Sequence, residues 1–134
     1  MHFKQPDLRL LEQTEEIELE TIAAESSTAR RSTLWVVVVG EDAFVRSVNG
    51  DQGHWYQEIT RRRAGTLYTD ELQIPIYADP ISDEQLQQQV SEAYLRKYAQ
   101  YPEDVLWMVV PTAAPTTLRL RPDRRESAAA ERGA

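Results

Sequence analysis

The chain has 134 residues but no cysteine, only two histidines, and no apolar run longer than the six residues from Leu34 to Val39. Without cysteine there can be no disulfide, no thiolate metal site and no thiol nucleophile. His2 and His54 are remote from one another, and with no cysteine beside them they cannot build a structural zinc site. A run of six apolar residues is far too short to span a bilayer, which takes about 20. The N-terminal stretch MHFKQPDLRLLEQ lacks the apolar centre of a secretory signal. Basic charge is also in deficit: 15 Lys and Arg stand against 22 Asp and Glu, a formal net charge of -7. Nucleic acid needs a basic field, so neither nucleic acid nor membrane is an expected partner. A chain without thiols or a signal fits the reducing cytoplasm.

The remainder is the composition of a packed globule, with 41% hydrophobic residues, three Trp and six Tyr. The length fits one domain, expected over residues 1–122, with a disordered tail over 123–134. Pro6 and Asp7 open a short helix carrying Leu8 and Leu11. Ile17, Leu19 and Thr21 then alternate with Glu16, Glu18 and Glu20, the period of a strand with an acidic outer face. Thr33 to Val39 is apolar on both faces and predicts a strand covered on both sides. Gly40 to Asp42 is a turn, and Ala43 to Val48 returns as its hairpin partner. After the loop from Asn49 to Gly53, His54 to Arg63 reads as a helix ending at three arginines and Gly65.

A second hairpin, Thr66–Thr69 with Leu72–Ala78, contains Pro75, which predicts an edge strand or a bulge. Ser82 and Gln85 form a capping-box pattern before a helix over Asp83–Ala99, with Leu86, Val90, Tyr94 and Tyr98 on one face. Leu106–Val110 is a short apolar connection, and Thr116–Arg121 alternates as a last strand. Six short strands with adjacent hairpins predict an α+β fold, a mostly antiparallel six-stranded barrel with two or three flanking helices.

Chemistry-bearing residues gather around the middle of the chain. Arg46 offers a planar fork of donors suited to a phosphate or carboxylate; as a strand residue it can equally snorkel or pair with a glutamate. Ser47 and Thr33 bring hydroxyls that suit either a ligand or an ordinary strand. Gly50 and Gly53 allow a close backbone approach or simply a turn. Trp55 and Tyr56 could stack on a flat ring, pack in a core or meet a second subunit, whereas Trp35 belongs to the core. Arg61–Arg63 read as a solvated helix end. No nucleophile–base set is present, so any redox chemistry would have to come from a cofactor.

The stretch STLWVVVVGEDAFVRSVNGDQGHWYQEI, within Ser32 to Ala78, resembles the flavin-binding split barrels, the superfamily of pyridoxamine-phosphate-oxidase-like proteins and deazaflavin-dependent nitroreductases. It is most similar to a group of small bacterial proteins in that superfamily. The late helix SEAYLRKYAQYP and the strand TTLRL extend the resemblance. It implies a homodimer holding FMN or a deazaflavin, and a flavin-dependent oxidoreductase acting on a small molecule. The alternatives are a binding module for a flavin or another planar anion, and a purely structural dimer. Carried over by position, the cofactor would meet Thr33, Arg46, Ser47, Asn49, Gly50, Trp55 and Tyr56. The loop departs from the superfamily pattern in having Asp51 where a cation would serve, and Ala64-Gly65 where Asn-Pro is usual.

Overall fold

A computed structural model describes residues 2–23 and 28–123. Residues 24–27 and all of the expected tail but Asp123 lie outside the described residues. In chain order the elements are α1 (Gln5–Gln13), β1 (Glu16–Ile22), β2 (Ala29–Val39), β3 (Asp42–Val45), α2 (His54–Arg62), β4 (Ala64–Tyr68), β5 (Gln73–Pro80), α3 (Glu84–Lys97), α4 (Leu106–Val109) and β6 (Leu118–Pro122). Short 3-10 turns at Gly50–Gln52 and Ala114–Thr116 precede α2 and β6.

The six strands close into a barrel in the order β1-β2-β3-β6-β5-β4, with every neighbouring pair antiparallel. Alternation places one side of each strand inside. Ile17, Leu19, Leu34, Val36, Ala43, Val45, Leu67, Ile76, Ala78, Leu118 and Leu120 form one core that draws on all six strands. Leu8 and Leu11 of α1 and Ile59 of α2 join it. The other side of β2 and β3 contributes Val37 and Phe44 to a second core, completed by Val90, Ala93 and Tyr94 of α3 and by Tyr98. Within the Thr33–Val39 stretch, Val36 and Val37 are thus buried on opposite sides of β2, as its composition predicts, while Thr33 at its start is exposed. The glutamates of β1 face outward, and Arg31 on β2 lies 3.3 Å from Glu20 and 3.7 Å above the Tyr68 ring.

Three local expectations are corrected. Pro75 lies in a strand paired on both sides, to β4 and to β6. Its carbonyl accepts from Asp123 N–H at 2.8 Å, so the missing donor faces residue 123, just past the end of β6, and only the reciprocal bond at that end is forgone. The α2 cap is Arg63, left-handed at φ 60°, and Gly65 sits inside β4. The α3 cap is Asp83, whose carboxylate accepts from Leu86 N–H at 3.0 Å; Ser82 lies one residue before it. In addition, Leu106–Val109 of the expected connection is helical.

The C-terminal end of α3 is tied to the barrel by two polar side chains. Lys97 Nζ donates to the Leu11 carbonyl at 2.9 Å and to the Val36 carbonyl at 2.6 Å. The Tyr98 hydroxyl accepts from Val36 N–H at 3.1 Å and lies 2.6 Å from the Glu15 carbonyl. Burial lowers the Lys97 pKa from 10.5 to about 8. Between those two values the unfolded chain binds the proton that the folded chain has released, so this group makes stability rise with pH across the window. Above about pH 10 the buried Tyr94 and Tyr98 hydroxyls, whose pKa burial raises, oppose it. Urea unfolding at pH 7.5 and 9.5 should show a larger gain for the wild type than for Lys97→Met. Equal gains would show that Lys97 is charged and solvated in both states.

Candidate functional site

One cleft, about 700 Å³ in volume, opens between the barrel wall and the segment that carries α4. Its lining includes Thr33, Leu34 and Trp35 of β2, Arg46, Val48 and Asn49 after β3, Trp55 of α2, Glu16 of β1, and Asp104, Trp107 and Met108. The volume is in the range of small-molecule sites. All three tryptophans of the chain line this one cleft. Trp35 stacks on Tyr98 at 4.0 Å between ring centroids and 5° between planes, which fixes its orientation. Trp55 meets Tyr56 edge-on at 6.0 Å. Of the lining residues, Trp107 is 62% exposed and Val48 51%; Leu106, the chain neighbour of Trp107, is 55% exposed.

Of the residues expected to meet a cofactor, Thr33, Arg46, Asn49 and Trp55 line the cleft together. Neither the Thr33 hydroxyl nor the Asn49 amide is engaged by another described residue, so both remain open to a ligand. Tyr56 packs against the barrel core instead, and burial raises its pKa. Gly50, at φ 61°, makes the turn before α2 and donates its N–H to the Ser47 carbonyl at 3.1 Å. A side chain there would meet the Thr112 carbonyl at 3.3 Å.

Arg46 is 1% exposed and its guanidinium is already bonded within the protein. Nε donates to Thr117 Oγ1 at 2.9 Å, Nη1 to Ser91 Oγ at 2.8 Å and to the Met108 carbonyl at 2.9 Å, and Nη2 to the Gln87 carbonyl at 2.6 Å. Four of its five N–H groups thus reach neutral oxygens from α3, α4 and the start of β6. The guanidinium does not snorkel and pairs with no glutamate among the described residues, and its carbon lies 5.8 Å from the centroid of the Tyr94 ring. Burial lowers its pKa, yet arginine stays charged at neutral pH.

The next residue is held similarly. Ser47 N–H donates to Thr116 Oγ1 at 2.9 Å. The hydroxyls of Thr116 and Thr117 each donate back to a carbonyl three residues earlier, at 2.6 Å. Ser47 Oγ is buried without a protein partner and occupies the space in which a Gly53 side chain would begin, 2.6 Å away.

A phosphate-bearing flavin requires converging cations or free amide donors. Among the described residues of this cleft the one cation is Arg46, whose donors are mostly occupied, and Glu16 and Asp104 are acidic. The aromatic walls fit a flat ring; the donor set does not fit a phosphate. Trp35, Trp107, Glu16 and Asp104 were not expected in the site. The sequence signal for Trp107 was a large aromatic in a short segment between Pro102 and Pro111.

A family model described as "Uncharacterized protein conserved in bacteria (DUF2255)" matches residues 7–120. No curated protein matches the chain. Among solved structures, the heme storage protein HutZ of Vibrio cholerae superposes with a TM-score of 0.65 at 13% identity, covering 89% of each chain. A Listeria innocua protein described as a candidate pyridoxamine 5'-phosphate oxidase gives 0.62 at 15% identity, over 88% of this chain and 91% of that one. An F420-H2 dependent reductase, FDR-A, gives 0.59 at 16% identity, over 80% and 94%. The chain shares a split-barrel fold with these proteins.

Proposed function

The chain belongs to the DUF2255 family of bacterial proteins, and on that premise we propose that it binds a planar conjugated ligand in the cleft lined by its three tryptophans. The observation that carries this reading is the convergence of every indole in the chain on one cleft of about 700 Å³. Trp35, locked by Tyr98, supplies a fixed aromatic wall, while Trp55 and Trp107 close the sides. Thr33 and Asn49 supply polar contacts to the ring edge. Proteins with this fold include a heme storage protein and an F420-H2 dependent reductase, both named for flat conjugated groups. If the ligand is redox-active, as a flavin or deazaflavin is, the oxidoreductase chemistry is the ring's, and these residues position it and exclude water. The exposed apolar rim at Val48, Leu106 and Trp107 favours a homodimer in which a second copy covers the cleft mouth.

Binding is tested by thermal shift with flat tricyclic rings, riboflavin among them. At 100 times its dissociation constant, a ligand should stabilise the fold by about 2.7 kcal/mol. Trp107→Ala should weaken binding about tenfold or more, the loss of one stacking wall, while light scattering on the same variant reports the oligomeric state. A protein stabilised by no flat ring, or a Trp107→Ala variant with undiminished affinity, would remove the basis of the reading.

A further inference from the structure

The two ends of the cleft's chemistry point in opposite directions. The fold family suggests a phosphate-bearing cofactor, yet the charges in the lining oppose a phosphate. Arg46 is ringed by four oxygen dipoles whose negative ends face the guanidinium, and these screen its charge from the cleft. No carboxylate pairs with it among the described residues, so its charge is balanced by those dipoles alone. Glu16 and Asp104, by contrast, are both exposed and belong to the lining of the cleft. They share that lining with the three indoles, whose electron-rich faces attract cations. Glu16 is the register partner of Trp35 across β1 and β2, and Asp104 precedes Trp107 by one turn, its carbonyl accepting Trp107 N–H at 3.2 Å. Each carboxylate is therefore coupled through the backbone to an indole of the wall. An aromatic wall edged with carboxylates is the chemistry that recognises an organic cation.

We propose that the cleft takes a flat aromatic ligand that carries a positive charge and no phosphate. The inference rests on the planar-ligand reading above and specifies the ligand's charge. The ring lies among Trp35, Trp55 and Trp107, and its cationic edge turns toward Glu16 and Asp104. A phosphate on the same ring would meet two carboxylates and no available guanidinium.

Three probes of similar shape separate the possibilities by calorimetric titration: proflavine, a flat tricyclic cation; riboflavin, a neutral tricycle; and FMN, riboflavin with a phosphate. Proflavine should bind about tenfold more tightly than riboflavin, and FMN more weakly than riboflavin. The double variant Glu16→Gln/Asp104→Asn should bring proflavine down to the level of riboflavin and relieve the penalty on FMN. A control with the same change in net charge, Glu84→Gln/Glu92→Gln on the exposed side of α3, should leave the proflavine preference in place. The inference is overturned if FMN binds as tightly as riboflavin or more tightly, if the preference survives the Glu16/Asp104 changes, or if the α3 control abolishes it equally. In all of those outcomes the rings still bind and the planar-ligand reading stands. If none of the three binds, or Trp107→Ala affects none of them, that underlying reading fails instead.

Discussion

Replacing Arg46 with alanine should lower the free energy of unfolding by about 3–5 kcal/mol, one of the larger effects a single substitution can have. The reason lies in what the guanidinium holds. Its donors join β3 to Gln87 and Ser91 of α3, to Met108 of α4 and to Thr117 at the start of β6. Deleting it leaves the buried Met108 carbonyl, the half-buried Gln87 carbonyl and two hydroxyls short of a donor and opens a void beside Tyr94. Arg46→Lys should recover only part of the loss, because a compact ammonium cannot reach four acceptors arranged around a planar fork. Urea unfolding of the three proteins measures this directly. A variant that unfolds like the wild type but loses affinity for a phosphate-bearing ring would show that Arg46 serves a ligand rather than the fold.

Gly65→Ala should destabilise by about 2–3 kcal/mol, more than an alanine at Gly40, for which about 1 kcal/mol is expected. The two glycines are needed for different reasons. Gly40 is left-handed at φ 63° with open space around it, so an added methyl meets only backbone strain. Gly65 lies where β4 approaches β1 to close the barrel. A methyl there would stand 2.7 Å from the Glu20 carbonyl oxygen and 3.7 Å from Leu19 Cδ1. Backbone cannot step aside as a flexible side chain can, so the seam between β1 and β4 must open locally. Thermal unfolding of both variants gives the ranking. A Gly40 variant less stable than the Gly65 variant would contradict it.

The strands were legible because their physics is local. The alternation of Ile17, Leu19 and Thr21, the doubly apolar Thr33–Val39 and the alternating TTLRLR each carry their own period. The buried face of α3 was legible for the same reason. Gly65 was misread as a helix stop because a glycine after three arginines fits that pattern, while its true constraint comes from a strand 45 residues earlier in sequence, at Glu20. Pro75 was misread because its tolerance depends on where β6 ends. At the cleft, Thr33, Asn49 and Trp55, named from the resemblance, line one pocket. What became of Arg46 was not legible. Its four acceptors lie 41 to 71 residues away, and two are backbone carbonyls that no side-chain pattern reveals. Trp107 and Asp104 escaped notice because α4 is a single turn, too short to show a period.

The strand order has a consequence for how the molecule comes together. The last strand, β6, lies between β3 and β5, whose sequence lies some 75 and 40 residues before it. Until β6 is made, each of those neighbours presents a row of unmet amides, the kind of surface on which a second chain can template itself. Synthesis from the N-terminus therefore holds the ring open to the last, and closure waits on the slowest kind of contact, one between distant parts of the chain. The hydroxyls of Thr116 and Thr117, standing at the threshold of that strand, are then the latch that engages Ser47 and Arg46 as the ring shuts.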